Sequence, residues 1–179
     1  GLYFRRKCYT IESTMVNYKK IKGLVELLRP ELPFAAGICV IIGEIIALGS
    51  FPPLLDLFLG FIWGFFLSGS AMILNDVFDI EVDRVNAPDR PLASGLISTS
   101  TAVGFAIIVT LIGLVASFFI DKLAVLLYVI FWVIGFSYNW KLKERGFFGN
   151  LFVSSSVAIT IILGSIVVGR SWNQAVVIF

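Results

Sequence analysis

The sequence predicts an all-α polytopic membrane protein, a transmembrane helical bundle with five complete spans and the start of a sixth. Two observations carry this. Of 179 residues, 58% are hydrophobic and only 15% charged, with a mean hydropathy of +0.95, whereas soluble globular domains are about half apolar and about a quarter charged. The apolar residues also fall into stretches near the roughly 20 residues that cross a bilayer core, with polar punctuation between them. That balance excludes an ordinary water-soluble enzyme. The chain has no histidine, which removes Ser-His-Asp and Cys-His nucleophilic schemes and most zinc sites. Its two cysteines, Cys8 in a polar tail and Cys39 in an apolar run, read as free thiols. A formal charge of +2 is too small to suggest a nucleic-acid partner.

Residues 1–30 form a basic tail with Arg5, Arg6, Lys7, Lys19, Lys20, Lys22 and Arg29. The first fourteen residues, which precede Met15, are read as not belonging to the domain that follows. From Val16 to Leu28 the apolar positions Ile21, Leu24, Val25 and Leu28 suit an amphipathic helix lying on the membrane surface. The first span is expected at about 34–50, closed by Phe51-Pro52-Pro53, and the second at about 54–74. The second carries Gly60, Gly64 and Ser68 at four-residue intervals, a small-residue stripe that lets a neighbouring helix approach closely. A polar stretch from Asn75 to Thr101 precedes the third span, about 102–120. Asp121-Lys122 turns the chain into the fourth, about 123–138, and the basic segment Lys141, Lys143, Arg145 leads to the fifth, about 147–169. A sixth apolar run begins at Ala175.

Charge sets the expected orientation. With the N-terminus cytoplasmic, the tail and the loops at 75–101 and 141–145 hold twelve Lys/Arg on the cytoplasmic side and leave two, Lys122 and Arg170, outside. Both polar loops then share one face of a multi-pass protein of the cell membrane.

The segment from Asn75 to Gly95 carries the chemistry. If the second span continues as a helix through Asp83, Asn75, Asp79 and Asp83 sit at about 0°, 40° and 80°, Asp76 at about 100°, and Glu81 at about 240°, pointing away. Three carboxylates and an amide converge beside the membrane interface, an arrangement costly without a counter-ion. All-oxygen donors select Mg²⁺, Mn²⁺ or Ca²⁺. A calcium loop beginning at Asp79 would need Gly at its sixth position and Glu at its twelfth, which here are Arg84 and Arg90. Mg²⁺ completes its shell with substrate phosphates, and Arg90 offers a planar fork for phosphate oxygens. The expected ligand is a diphosphate. The alternative is a solvated, acidic helix end with no ligand.

These residues resemble the UbiA superfamily of intramembrane prenyltransferases. Asn75-Asp76-x-x-Asp79-x-x-x-Asp83, then Asn86, Arg90-Pro91-Leu92 and Ser94-Gly95, is similar to that family's first aspartate-rich motif and the loop after it. Tyr138-Asn139-Trp140-Lys141-Leu142-Lys143, Gly149-Asn150-Leu151 and Leu28-Arg29-Pro30 also match, so the resemblance covers roughly 25–169. It implies a bundle of about nine helices that transfers a prenyl chain, geranylgeranyl or geranyl, from an allylic diphosphate to an acceptor. It implies Mg²⁺ held by Asn75, Asp79 and Asp83 with Asp76, and a leaving diphosphate bound by Arg90, Lys143 and Tyr138. The family's second aspartate-rich motif has no counterpart here, so residues 31–179 are expected to be the N-terminal part of the domain and not to turn over alone. Leu-Arg-Pro-Glu, the Asp-x-x-Asn-x-Pro-x-Arg-Pro loop and Lys-Leu-Lys-Glu-Arg-Gly most resemble the archaeal branch, whose acceptor is geranylgeranylglyceryl phosphate and whose product is an ether lipid. The branch that prenylates hydroxybenzoate or naphthoate precursors of quinones shares the aspartate motif.

Other residues have plainer readings beside functional ones. Glu44, midway along the first span, is either a group near the acceptor that takes its hydroxyl proton or a neutral, hydrogen-bonded acid. The aromatic residues mostly face lipid or pack, though some suit a prenyl tunnel or a carbocation. Ser154, Ser155 and Ser156 read as helix-bonding residues. A CDP-alcohol phosphotransferase would need glycine where Asn75 stands. A non-catalytic membrane module would tolerate loss of Asp79.

Overall fold

The computed structural model describes Met15, residues 17–139 and residues 160–169, and all elements among them are helices. They are α1 (17–28), α2 (Glu31–Leu48), α3 (Leu54–Phe78), α4 (Ile80–Asn86), α5 (Thr99–Ile120), α6 (Lys122–Ser137) and α7 (160–167). Three of these, α2, α3 and α5, are long and apolar enough to cross a membrane, and α6 is a shorter apolar helix.

The helix limits follow local chemistry. Gly49, at φ 72°, closes α2 by donating its N–H to Ile45 O, a backbone region that glycine enters without steric cost. Pro52 and Pro53 then keep the chain extended until α3 begins. Ser98 caps α5 by accepting from Thr101 N, so the helix begins at Thr99, three residues before the expected start of that span. Asp121 ends α5 and caps α6 by accepting from Leu123 N at 2.7 Å, which makes the expected tight turn.

The second span differs most from expectation. Helical hydrogen bonding runs four residues past the expected end at Leu74, to Phe78, because the backbone ladder continues where hydropathy falls. The single helix through Asp83 is instead interrupted: Asp79, at φ −89° and ψ 1°, ends α3 and starts α4. The interruption is mild, since Asp79 N still donates to Asn75 O at 3.0 Å and Asp83 N to Asp79 O at 2.8 Å. Most of the expected fifth span and the whole run after Ala175 lie outside the described residues.

Helix α3 is the centre, packed on α2 along one side and on α5 along another. Gly60 and Gly64 of the predicted stripe face α2: a Cβ on Gly64 would lie 2.8 Å from Val40 Cγ2, and one on Gly60 would collide with Glu44 Oε1. Two apolar cores result. One joins Leu27, Ile73, Leu92, Ile97, Ala102, Ala106 and Val109 beneath the polar loop, and the other joins Val40, Trp63, Ala124, Tyr128, Leu163 and Ile166 at the opposite end. Large apolar side chains such as Ile107, Ile108, Leu111, Phe118 and Phe119 are exposed along α5, the surface a bilayer covers.

Candidate functional site

The first apolar core fixes where the polar residues stand. Leu27 ends α1, Ile73 lies one turn before the acidic segment, and Leu92 and Ile97 anchor the loop after it. That loop is tied by its own backbone: Arg90 N donates to Ala87 O, Ser94 N to Arg90 O, and Ile97 N to Pro91 O at 2.9 Å. Pro88 forbids continuation of α4, because a residue before proline is steered out of helical geometry, and Ala87 is extended at φ −149°. Arg90 is thereby returned to the acids it follows in sequence.

The acids are unequal. Asp76 and Asp83 have side chains only 4% and 11% exposed, whereas Glu81 is 76% exposed and pairs with the exposed Arg84. The predicted outward direction of Glu81 is what the structure has. Arg90 Nη1 donates to Asp83 Oδ2 at 2.6 Å and stands 3.8 Å from Asp76 Oδ1. Arg29 Nη2 donates to the same Asp76 Oδ1 at 2.5 Å, across 47 residues of sequence. Asn75 Nδ2 donates to Asp79 Oδ2 at 3.3 Å, and both residues are half-buried. The hydrogen bond that Arg90 donates to Asp83, ahead of any other influence, raises the Arg90 pKa above its ordinary value.

Asn75, Asp76, Asp79, Asp83 and Arg90 are thus neighbours, as expected, but in a different arrangement from a convergent cage. Among the described residues no three acidic side chains form a group that could hold a metal ion. Two buried carboxylates take their counter-charge from arginines instead, which is how a low-dielectric site tolerates them. The donor chemistry still fits a hard divalent cation, since all four side chains offer oxygen.

Tyr138 is half-buried just after α6. Phe136 meets Phe78 edge to face at 5.4 Å, so this end of α6 lies against the junction that holds Asp79. Lys143 and Ser154 to Ser156 lie outside the described residues. Glu44 is not brought to this cluster. It is fully buried on α2 against Gly60, with no hydrogen-bond partner among the described residues for either carboxyl oxygen, and Gly60 precedes Asn75 on α3 by about 22 Å of helix rise.

Arg29 joins the acidic segment although its sequence position alone does not mark it as a site residue. Its only signal was a place in Leu28-Arg29-Pro30 just before a span. Its backbone is at φ 47°, a region that costs a non-glycine residue about 1 kcal/mol or more.

The UbiA prenyltransferase family model matches residues 36–179. A digeranylgeranylglyceryl phosphate synthase of Thermococcus kodakarensis is 35% identical over 151 residues, which is 84% of this chain and 54% of the relative. One from Archaeoglobus fulgidus is 38% identical over 148 residues, 82% of this chain and 50% of the relative. A solved structure from work on digeranylgeranylglyceryl phosphate synthase in membranes is similar with a TM-score of 0.78 at 34% identity, covering 83% of this chain and 53% of that one. The chain spans about half the length of the relatives it matches.

Proposed function

The chain belongs to the UbiA prenyltransferase family, and from that premise we propose that it forms the first aspartate-rich face of an intramembrane enzyme transferring a geranylgeranyl group to geranylgeranylglyceryl phosphate in ether-lipid synthesis. The observation that carries the reading is the pairing of buried Asp76 and Asp83 with Arg29 and Arg90 at the end of a membrane-length helix. Buried charge at such a depth is rare and functional by default. The similarity to archaeal synthases supports the lipid acceptor over an aromatic one.

In this reading Asn75, Asp79 and Asp83 would hold Mg²⁺, while Asp76, whose Oδ1 Arg29 engages, stays outside the donor set. When bound, Mg²⁺ neutralises charge that grows on the leaving diphosphate. Arg90 shifts from Asp83 towards the phosphate oxygens, Tyr138 approaches the same group from the end of α6, and Lys143 adds positive charge to the set. The bond between prenyl C1 and the diphosphate oxygen breaks, the electron pair leaving with oxygen. The acceptor hydroxyl oxygen bonds to C1, and its proton passes to the departing diphosphate. The apolar helix faces exclude water from the allylic cation. The N-terminus is cytoplasmic, so the site opens on the cytoplasmic side.

An assay of the intact protein with geranylgeranyl diphosphate, with and without Mg²⁺, tests this. Geranylgeranylglyceryl phosphate and a hydroxybenzoate acceptor are offered in parallel. The reading expects Mg²⁺-dependent product with the lipid acceptor; product only with the aromatic acceptor, or none, contradicts it.

A further inference from the structure

Arg29 and Arg90 compete for one oxygen. Asp76 Oδ1 is 2.5 Å from Arg29 Nη2 and 3.8 Å from Arg90 Nη1, while Arg90 Nη1 is 2.6 Å from Asp83 Oδ2. Asp76 is the more buried of the two carboxylates, and a buried carboxylate that loses its partner draws the nearest cation to itself. Arg90 is that cation. Arg29 also holds a left-handed backbone conformation, φ 47°, at the joint between α1 and α2. Strain of this kind persists only where surrounding structure enforces it, and it gathers at functional sites. Around the joint, Leu27 is fully buried in the core beneath the loop, and Leu28 fills the space over Gly69 of α3.

We infer that Arg29 is a positioning residue of the site: by engaging Asp76 it prevents that carboxylate from capturing Arg90 and so keeps Arg90 on the Asp83 side, where a diphosphate is received. Its role is electrostatic and indirect, and Arg29 itself does not touch the substrate. The inference rests on the diphosphate reading above.

The rival is direct contact between Arg29 and the diphosphate, and a double-mutant cycle separates the two. The intact protein, purified in detergent, is titrated with a non-hydrolysable geranylgeranyl thiolodiphosphate in Mg²⁺, and acceptor KM and thermal midpoint are measured alongside. Arg29→Met is expected to weaken analogue affinity by about tenfold or more, because Asp76 then withdraws Arg90, with acceptor KM little changed. Arg29→Lys keeps a cation at Asp76 and is expected to retain most of the affinity. The decisive variant is Arg29→Met combined with Asp76→Asn, which removes the charge that Arg29 answers. Recovery of affinity to within about threefold of wild type, with recovery of the thermal midpoint, supports the inference. Affinity as weak as in Arg29→Met alone, or a double variant that does not fold, overturns it. Where wild type itself binds no analogue in Mg²⁺, the diphosphate reading has failed, and that result is distinct from a cycle that shows binding without rescue.

Discussion

Asp83 and Glu81 are two residues apart on one short helix and have opposite environments. Asp83 is nearly buried and bonded to Arg90, whereas Glu81 is exposed beside Arg84. An exposed ion pair contributes about 0–1 kcal/mol, whereas electrostatic stabilisation at a reacting centre is worth orders of magnitude in rate. Asp79→Ala and Asp83→Ala are therefore expected to lower prenyl transfer by at least about a hundredfold, and Glu81→Ala to leave it within about twofold. Steady-state rates of the intact protein check this, and an equal loss at Glu81 contradicts the geometry. The acids were readable in sequence because their spacing of four puts them on one helical face. Arg29 was not, because its partner lies 47 residues away and the pairing exists only after folding.

Among the elements, close helix approach is set by residues without side chains. A Cβ on Gly164 of α7 would collide with Val40 O of α2, and one on Gly43 would collide with Ile161 O of α7. Backbone cannot yield as a flexible side chain does, so Gly164→Val is expected to destabilise by about 1–3 kcal/mol. A fall in the thermal midpoint in detergent reports it, and an unchanged midpoint denies the close approach. Glu44 belongs to the same interface. Its oxygens have no partner among the described residues and it stands far along the bundle from Asn75, so a neutral buried acid is the expected role rather than a base for the acceptor. Glu44→Gln is expected to preserve both transfer rate and midpoint, and loss of rate at an unchanged midpoint would restore the proton-acceptor role. The small-residue stripe announced a helix contact but not which helix it met, since α2 and α5 both lie on α3. Likewise, hydropathy located α3 but missed its end and the break at Asp79, because local hydrogen bonding, not apolarity, decides both.

Across the whole molecule, the multi-pass architecture followed from apolar length alone, since a bilayer fixes how many residues a span needs. Orientation rests on the basic residues of the tail and loops. The Phe78 to Phe136 contact brings the ends of α3 and α6 together. In a background free of other cysteines, Ser100→Cys lies in the first turn of α5 and Lys122→Cys just past its other end, and both positions are exposed. A membrane-impermeant thiol reagent applied to intact cells is expected to label Lys122→Cys and spare Ser100→Cys until the membrane is opened. The reverse pattern inverts the topology and moves the acidic face outside the cell.

A divalent cation and a prenyl diphosphate are expected to meet at the α3–α4 junction. Calorimetric titration of the intact protein with geranylgeranyl thiolodiphosphate, in Mg²⁺ and again in EDTA, tests it most directly when Asp79→Asn is run beside wild type. Tight binding to wild type is expected in Mg²⁺, with affinity lost both in EDTA and in Asp79→Asn. Equal affinity under all three conditions would contradict it.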